Sequence, residues 1–274
     1  MIFDATKCTL GEGPLWHPER AKLFWFDILS KRLHCKARHW DFEDYVSAAG
    51  WVDYDTLIVA SAKGLHRFDI ESGEMDLLCD LEADNPLTRS NDGRADPQGG
   101  FWIGTMGLNA EMGAGSIYRY YRGELRQIYA DLQITNAICF TPSGDTAYFT
   151  DTNTQMIMAV ALDAQGWPKG APRLHIDLRG TDFRPDGAVV DAAGNLFSAQ
   201  WGAGRVAVYA PKGQFIEAFA LPAIQSSCPA LGGPDLQTLF CTSAAVGRDG
   251  ADDGKTFHIK TSYTGQAEHR VILG

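Results

Sequence analysis

Five polar residues stand at nearly the same distance ahead of a hydrophobic segment that recurs along the chain. They precede the second residue of that segment by 10 to 12 residues: Glu12, Arg89, Asn91, Asn136 and Asp186. Taken singly, each has an ordinary explanation, because Asn and Asp favour turns and a glutamate is often a solvated loop charge. Two carboxylates and an amide brought together would be unfavourable without a cation, because like charges raise each other's pKa or repel. The spacing therefore predicts one shared site that holds a divalent metal ion.

The side chains of Glu12, Asn136 and Asp186 offer only oxygen ligands. Oxygen suits hard cations such as Ca²⁺, Mg²⁺ or Mn²⁺, whereas Zn²⁺ or Fe²⁺ is less expected without imidazole. Three protein ligands leave coordination positions open, as is typical of catalytic metal sites. A metal held in this way can polarise an ester carbonyl and lower the pKa of a water molecule. The residue types therefore favour metal-assisted hydrolysis.

The segment RSNDGRADPQGGFWIGT, residues 89–105, contains two turn signals, Asn91-Asp92-Gly93 and Asp96-Pro97-Gln98-Gly99-Gly100. Glycine and proline supply the backbone angles that tight turns need. Two turns are therefore predicted here. Turn chemistry does not account for Arg89, which makes that arginine a candidate functional residue.

Six similar segments, separated by 34, 44, 46, 49 and 43 residues, each follow a polar turn: KLFWFD (22–27), TLIVAS (56–61), GFWIGT (100–105), TAYFTD (146–151), NLFSAQ (195–200) and TLFCTS (238–243). Short apolar runs precede the turns, further strand-like runs follow the segments, and helical periodicity is almost absent. Four strands per unit at this spacing predict an all-β fold, a six-bladed β-propeller forming one domain over residues 1–274. A pair of sandwiches with recurring turns is the alternative.

A propeller would gather the five polar residues, because the first strand of each blade lines the central channel and the loop leading into it forms one rim. As a hypothesis for ring closure, the N-terminal MIFDATKC shares a blade with KTFHIK or HRVILG near the C-terminus.

Composition restricts the partners and the compartment. The net charge is −10 and the sequence pI is near 5.1, so nucleic acid and anionic membranes are unexpected partners. Six separated cysteines without a C-x-x-C pair indicate buried thiols in a reducing compartment. We find no secretory signal and no apolar run of the roughly 18 residues that cross a bilayer. A soluble cytoplasmic protein, monomeric or a small homo-oligomer, is expected.

Other catalytic classes lack their signatures. The chain has no G-x-S-x-G, no G-x-G-x-x-G opening a helix, no Walker loop and no H-E-x-x-H. The acidic loop over residues 247–255 lacks the EF-hand pattern and is expected to be an exposed loop.

Five segments, taken in order, resemble the SMP-30/gluconolactonase/luciferin-regenerating-enzyme-like family: GEGPLW, RSNDGRADPQGGFWIGTM, TNAICFTPSGDTAYFTDT, RPDGAVVDAAGNLFSAQWGAGRVAVY and SSCPALGG. The resemblance implies a six-bladed propeller that opens a sugar lactone, aldono- or aldaro-, with one divalent metal in the channel. It implies that Glu12, Asn136 and Asp186 are the metal ligands, that Asp186 is also the general base, and that Arg89 and Asn91 bind substrate.

Two positions depart from the family pattern. Ala137 follows Asn136 where the family usually has glycine, and Ser90 replaces the commoner phenylalanine, which is expected to alter the wall beside Arg89. Arg89 could also pair with a carboxylate of the substrate. Two other functions stay open at this point: a metal-dependent esterase for aryl esters or organophosphates, and a non-enzymatic calcium-binding propeller.

Overall fold

Six antiparallel sheets of four strands each follow one another along the chain in a computed structural model that describes residues 1–274. The first sheet contains β2 (Gly11–His17), β3 (Lys22–Asp27), β4 (Arg32–Cys35) and β5 (Arg38–Asp41). The second contains β6 (Val46–Trp51), β7 (Thr56–Ser61), β8 (Gly64–Asp69) and β9 (Met75–Asp80). The third contains β10 (Thr88–Ala95), β11 (Phe101–Gly107), β12 (Gly115–Tyr121) and β13 (Glu124–Leu132).

The remaining sheets continue the pattern. The fourth contains β14 (Thr135–Phe140), β15 (Thr146–Asp151), β16 (Met156–Leu162) and β17 (Pro168–Asp177). The fifth contains β18 (Arg184–Val190), β19 (Leu196–Trp201), β20 (Arg205–Tyr209) and β21 (Phe215–Ala220). The sixth combines β22 (Ser226–Gly232), β23 (Thr238–Ser243) and β24 (Thr256–Lys260) with the N-terminal β1 (Ile2–Asp4). A single 3₁₀ turn, Thr152–Thr154, is the only helical element, so the predicted all-β six-bladed propeller is confirmed.

The recurring hydrophobic segments are the second strands of the blades. Four of them coincide with β3, β7, β15 and β23, and the other two overlap β11 and β19 by five residues each. These strands are buried along nearly their whole length. Because neighbouring blades cover both of their faces, they are continuous apolar runs rather than alternating ones.

The hydrophobic core is divided into six clusters, one between each pair of consecutive blades. The cluster between the last and first blades closes the ring, with Trp16 stacked on Phe240 at a centroid distance of 5.6 Å. This packing holds the first strands of all blades around one axis. No helix in the structure has the length and apolar character that crossing a membrane requires.

The two chain ends have different roles in closing the molecule. Strand β1 pairs with β24 through Ile2–Phe257 and Asp4–Thr256, so the first of the two expected pairings, with KTFHIK, is the one that forms. The segment HRVILG forms no strand. It lies against the second and third blades at the end where their first strands finish, and the amide of Val271 donates to the carbonyl of Trp51 at 2.8 Å.

Candidate functional site

All five candidate residues line a single cavity of about 330 Å³ at one end of the central channel. They come from four blades, and they sit near the starts of the first strands: Glu12 on β2, Arg89 and Asn91 on β10, Asn136 on β14 and Asp186 on β18. All five side chains are buried. The structure therefore brings together every residue that the spacing singled out, although the residues lie on the strands themselves and not in the loops before them.

A break in strand register determines the direction in which these side chains point. Between first and second strands, the pairing shifts after Glu12, after Ser90, after Asn136 and after Pro185. Such bulges bend a strand and redirect its side chains. In β10 the bulge contains Asn91 and Asp92, and Gly93 resumes the pairing opposite Ile103, so the turn predicted at these three residues is wrong. The turn predicted from Asp96 to Gly100 forms between β10 and β11.

The residues that follow two of the candidate ligands share an unusual backbone conformation. Gly13 has φ of +53° and Ala137 has φ of +56°, both in the left-handed region. Glycine is required at the first position, because an added Cβ would lie 2.3 Å from the carbonyl oxygen of Ser47. Ala137 adopts the same left-handed conformation that Gly13 has after Glu12. Because alanine carries a Cβ, this conformation costs roughly 1–2 kcal/mol.

A chain of hydrogen bonds fixes the orientation of the Asn136 amide. The Thr152 hydroxyl donates to the carbonyl of Pro185 at 2.8 Å, so it must accept from Asn136 Nδ2, which lies 2.9 Å away. Asn136 Oδ1 therefore points the other way, where it accepts from Asn91 Nδ2 at 3.1 Å. A carbonyl oxygen has two lone pairs, so Oδ1 retains one for a ligand.

The same chain holds the arginine. Arg89 Nη1 donates to Asn91 Oδ1 and to the carbonyl of Ser90, each at 2.8 Å. These are the only hydrogen bonds of the Arg89 side chain, and both come from Nη1. Nε and Nη2 have no protein acceptor. Asn91 also donates to the carbonyl of Thr135 at 2.8 Å. Arg89 is thus held at one end of its guanidinium and is free at the other to donate to a bound molecule.

The carboxylates are in an unfavourable electrostatic environment. Burial, reinforced by the charge of Asp92, raises the pKa of Glu12 to about 8 against the opposing effects of the Gly13 amide and Arg89. Burial and then the charges of Glu12 and Asp92 raise the pKa of Asp186 well above its usual range. Burial lowers the pKa of Arg89 to about 10, although Glu12 and Asp186 oppose this. Arg89 alone does not offset the carboxylates, so the site favours an additional cation.

Asp92 is a third buried carboxylate that the sequence analysis missed. It accepts a hydrogen bond from the Ile138 amide at 2.7 Å, and burial raises its pKa to about 6. Its neighbour two residues on, Arg94, is buried and forms an ion pair with Glu268 of the C-terminal segment. Asp92 was interpreted as a turn residue, and period-two alternation cannot assign a face to a residue inside a bulge.

Other parts of the cavity wall come from loops and strand ends. Trp201 and Met106, which lie within two of the segments quoted for the family resemblance, both line it. Six further residues were not singled out beforehand: Leu10, Ile134, Thr152, Asn153, Arg184 and Val246. Ser90 does not line the cavity, because it packs toward the second blade and accepts from the Ser47 hydroxyl at 2.8 Å. The expectation that Ser90 alters the wall beside Arg89 is therefore wrong.

The candidate ligand set combines two carboxylates with one amide. No three His, Cys, Asp or Glu side chains in the structure come together in a metal-binding arrangement. The amide of Asn136 supplies the third oxygen, and hard cations bind amide oxygens as well as carboxylates. The donor set and the buried negative charge both fit a divalent cation.

Comparison with known proteins gives a consistent result. Residues 10–245 match the family model described as the SMP-30/Gluconolactonase/LRE-like region. The chain is 40% identical to a putative sugar lactone lactonase of Rhizobium meliloti, over 94% of this chain and 92% of the relative. It is 35% identical to the L-arabinolactonase of Azospirillum brasilense, over 98% and 94%.

A solved structure agrees with these relatives. The calcium-binding protein regucalcin from Agrobacterium tumefaciens superposes with a TM-score of 0.96 at 38% identity, covering 99% of this chain and 97% of that one. The resemblance inferred from the five sequence segments is confirmed. The chain belongs to the SMP-30/gluconolactonase/LRE-like family.

Proposed function

We propose that this protein hydrolyses a sugar lactone, an aldono- or aldaro-lactone, to the free acid with the help of one divalent metal ion. The observation that carries the proposal is the convergence of Glu12, Asn136 and Asp186 on one cavity that Arg89 and Asn91 also line. The lactonases among the relatives support the same reaction class.

Glu12, Asn136 and Asp186 would hold the metal. Two carboxylates balance a charge of 2+, and the oriented amide adds a neutral oxygen, so Ca²⁺, Mg²⁺ and Mn²⁺ suit the site better than Zn²⁺ or Fe²⁺. The calcium-binding relative is in keeping with a divalent cation. When bound, the ion supplies Lewis-acid polarisation of the lactone carbonyl.

The protein's own residues supply the proton transfer and the positioning. A carboxylate oxygen of Asp186 accepts a proton from the attacking water as the water oxygen bonds to the carbonyl carbon. The free Nη2 and Nε groups of Arg89 donate toward the oxygen on which negative charge develops. Asn91 is fixed by its three hydrogen bonds and orients Arg89. Its Oδ1 keeps one lone pair that can accept from the substrate. The ring C–O bond then breaks, and the proton passes to the ring oxygen to give a hydroxy acid.

Hydrolysis assays with a panel of esters test the proposed function. Acid release is followed for sugar lactones, aryl esters and an organophosphate, with protein stripped of metal and then reloaded with one ion at a time. We expect sugar lactones to be hydrolysed fastest, and only by reloaded protein. Faster turnover of aryl esters or the organophosphate would instead identify an esterase of another class. Tight metal binding without turnover of any ester would indicate a calcium-binding propeller.

Thr152 is expected to act on the metal site through Asn136. Its replacement by valine keeps the shape but removes the acceptor for Asn136 Nδ2, so the amide can turn its oxygen out of the cavity. We expect Thr152→Val to weaken metal binding by roughly tenfold or more, in line with other residues that orient metal ligands. Calorimetric titration with the metal measures this.

Two further variants control the Thr152 experiment. Thr152→Ser retains the hydroxyl and should restore the affinity. Thr154→Val removes a hydroxyl from the same 3₁₀ turn, where it donates only to the carbonyl of Asp151, and should leave the affinity unchanged. An unaltered metal dissociation constant in Thr152→Val would show that Thr152 does not orient Asn136.

A further inference from the structure

The mouth of the cavity carries a second guanidinium, that of Arg184. Arg184 lines the same cavity as Asp186 and is exposed to solvent. Its one hydrogen bond is a long contact of 3.4 Å from Nη1 to Asn153 Oδ1, another residue of the cavity wall. No carboxylate lies within ion-pair distance of it. The charged head of Arg184 therefore remains available to a molecule in the cavity.

Two other exposed arginines are each held by a carboxylate, whereas Arg67 and Arg173 lie exposed without one, away from the cavity. Arg179, five residues earlier, forms two hydrogen bonds to Asp177, at 2.9 and 2.7 Å. Arg126 on β13 is paired in the same way with Glu124, at 2.5 and 2.7 Å. The chain has 34 acidic and 24 basic residues, so acidic partners are abundant. An arginine that lines a cavity and has no such partner is suited to binding an external anion.

The charges inside the cavity also favour an anion. With a divalent cation bound, the charges of Glu12 and Asp186 are balanced, and the positive charges of Arg89 and Arg184 then exceed the single negative charge of Asp92 behind the lining. The negative charge of the rest of the protein is screened over about 8 Å at physiological salt, so the local charges decide what binds. A neutral sugar would supply no negative charge to balance this excess.

The position of Arg184 along β18 indicates which end of a substrate it meets. It lies two residues before Asp186, which corresponds to about 6.6 Å along a strand. It pairs with Trp201 at the outer end of the sheet, ahead of the register break that follows Pro185. A lactone whose carbonyl lies at Asp186 and Arg89 would therefore extend its far end toward Arg184. A guanidinium matches carboxylate or phosphate groups through paired hydrogen bonds.

We infer that Arg184 is a specificity-determining residue that binds an anionic group, a carboxylate or a phosphate, at the end of the substrate remote from the lactone carbonyl. This inference rests on the proposed lactonase function and adds the substrate class. Arg89 serves the reacting carbonyl, and Arg184 selects lactones that carry a second, charged group.

Steady-state kinetics with matched lactones test the inference. The neutral probe is the lactone of gluconic acid. The charged probes are the lactone of glucaric acid, which carries a terminal carboxylate, and gluconolactone phosphorylated at its terminal carbon. We expect wild-type protein to have a higher kcat/KM for at least one charged lactone than for the neutral one. The charged lactone with the larger kcat/KM identifies the anion as carboxylate or phosphate.

The variant Arg184→Gln should lower the charged-to-neutral ratio of kcat/KM by about tenfold or more, because a charge-assisted hydrogen bond is lost. Arg184→Lys should recover part of the ratio. Arg126→Gln, which removes an exposed arginine on the outer strand of the third blade, should leave the ratio and both kcat/KM values unchanged. A wild-type preference for the neutral lactone, or an unchanged ratio in Arg184→Gln, would overturn the inference.

A binding measurement separates failure of this inference from failure of the proposed function. Calorimetric titration compares glucarate, with two carboxylates, and gluconate, with one, on wild-type protein and on Arg184→Gln. We expect glucarate to bind more tightly to wild type and to lose that advantage in the variant. If no lactone is hydrolysed, the proposed function is wrong and this titration alone decides the role of Arg184. If lactones are hydrolysed but glucarate has no advantage, only the role of Arg184 is wrong.

Discussion

Replacement of Asp186 by asparagine is expected to reduce lactone hydrolysis by about a thousandfold or more at saturating metal. Asparagine has nearly the same shape but cannot accept the proton of the attacking water, and general-base catalysis typically contributes 10²–10⁴-fold. The loss of one negative ligand adds to the effect by weakening metal binding. The measurement is kcat over a range of metal concentrations, so that weaker metal binding is separated from the loss of the base.

Two controls accompany the Asp186 variant. Asp182→Asn changes an exposed carboxylate four residues away and should retain full activity. Circular dichroism and thermal unfolding should show that Asp186→Asn is folded, since burial raises the pKa of this carboxylate and its replacement removes an unfavourable buried charge. A near-normal kcat in folded Asp186→Asn would refute its assignment as the base.

Removal of metal is expected to destabilise the protein more at pH about 8 than at pH about 5. Without metal, folding raises the pKa of Glu12 from 4.5 to about 8. Between these pH values the folded state therefore binds more protons than the unfolded state. The stability that this proton binding confers is fully present below pH 4.5 and is lost as the pH rises toward 8. A divalent cation replaces the proton and removes the repulsion. The stabilisation by metal should therefore increase with pH.

Thermal unfolding measures this effect in chelator and in excess metal. A ligand at a hundredfold excess over its dissociation constant stabilises by about 2.7 kcal/mol, which corresponds to a rise in Tm of roughly 5 °C or more. The variant Glu12→Gln lacks the buried charge, so in chelator at pH about 8 it should be more stable than wild type and should gain less from metal. A metal-induced rise in Tm that is the same at both pH values, or the same in Glu12→Gln, would contradict the account.

The sequence was sufficient to predict the architecture because the second strands are covered on both faces. Segments such as TLIVAS and TAYFTD are continuous apolar runs for that reason, and their spacing identifies the blades. The same spacing placed Glu12, Asn136 and Asp186 at one height, because each residue lies near the start of a first strand. Because strand geometry is regular, residues at the same distance before the hydrophobic segment lie at the same height in each blade.

Features that depend on irregular backbone were not predictable in this way. Asp92 lies in a bulge that exists only through the pairing of β10 with β11, so the local sequence suggested a turn. Arg184 and Asn153 belong to different blades and meet only at the cavity mouth. The C-terminal segment meets distant blades through single hydrogen bonds, the ion pair of Glu268 with Arg94 and the buried side chain of Val271, and no periodic pattern reveals such contacts.

The most direct test of the central claim is a crystal structure of the protein loaded with Mn²⁺, in which anomalous scattering locates the ion. The account predicts one ion in the channel cavity, with oxygens of Glu12, Asn136 and Asp186 all within about 2.0–2.6 Å of it. An ion bound elsewhere, or an ion in the cavity that any of these three side chains fails to reach, would contradict it.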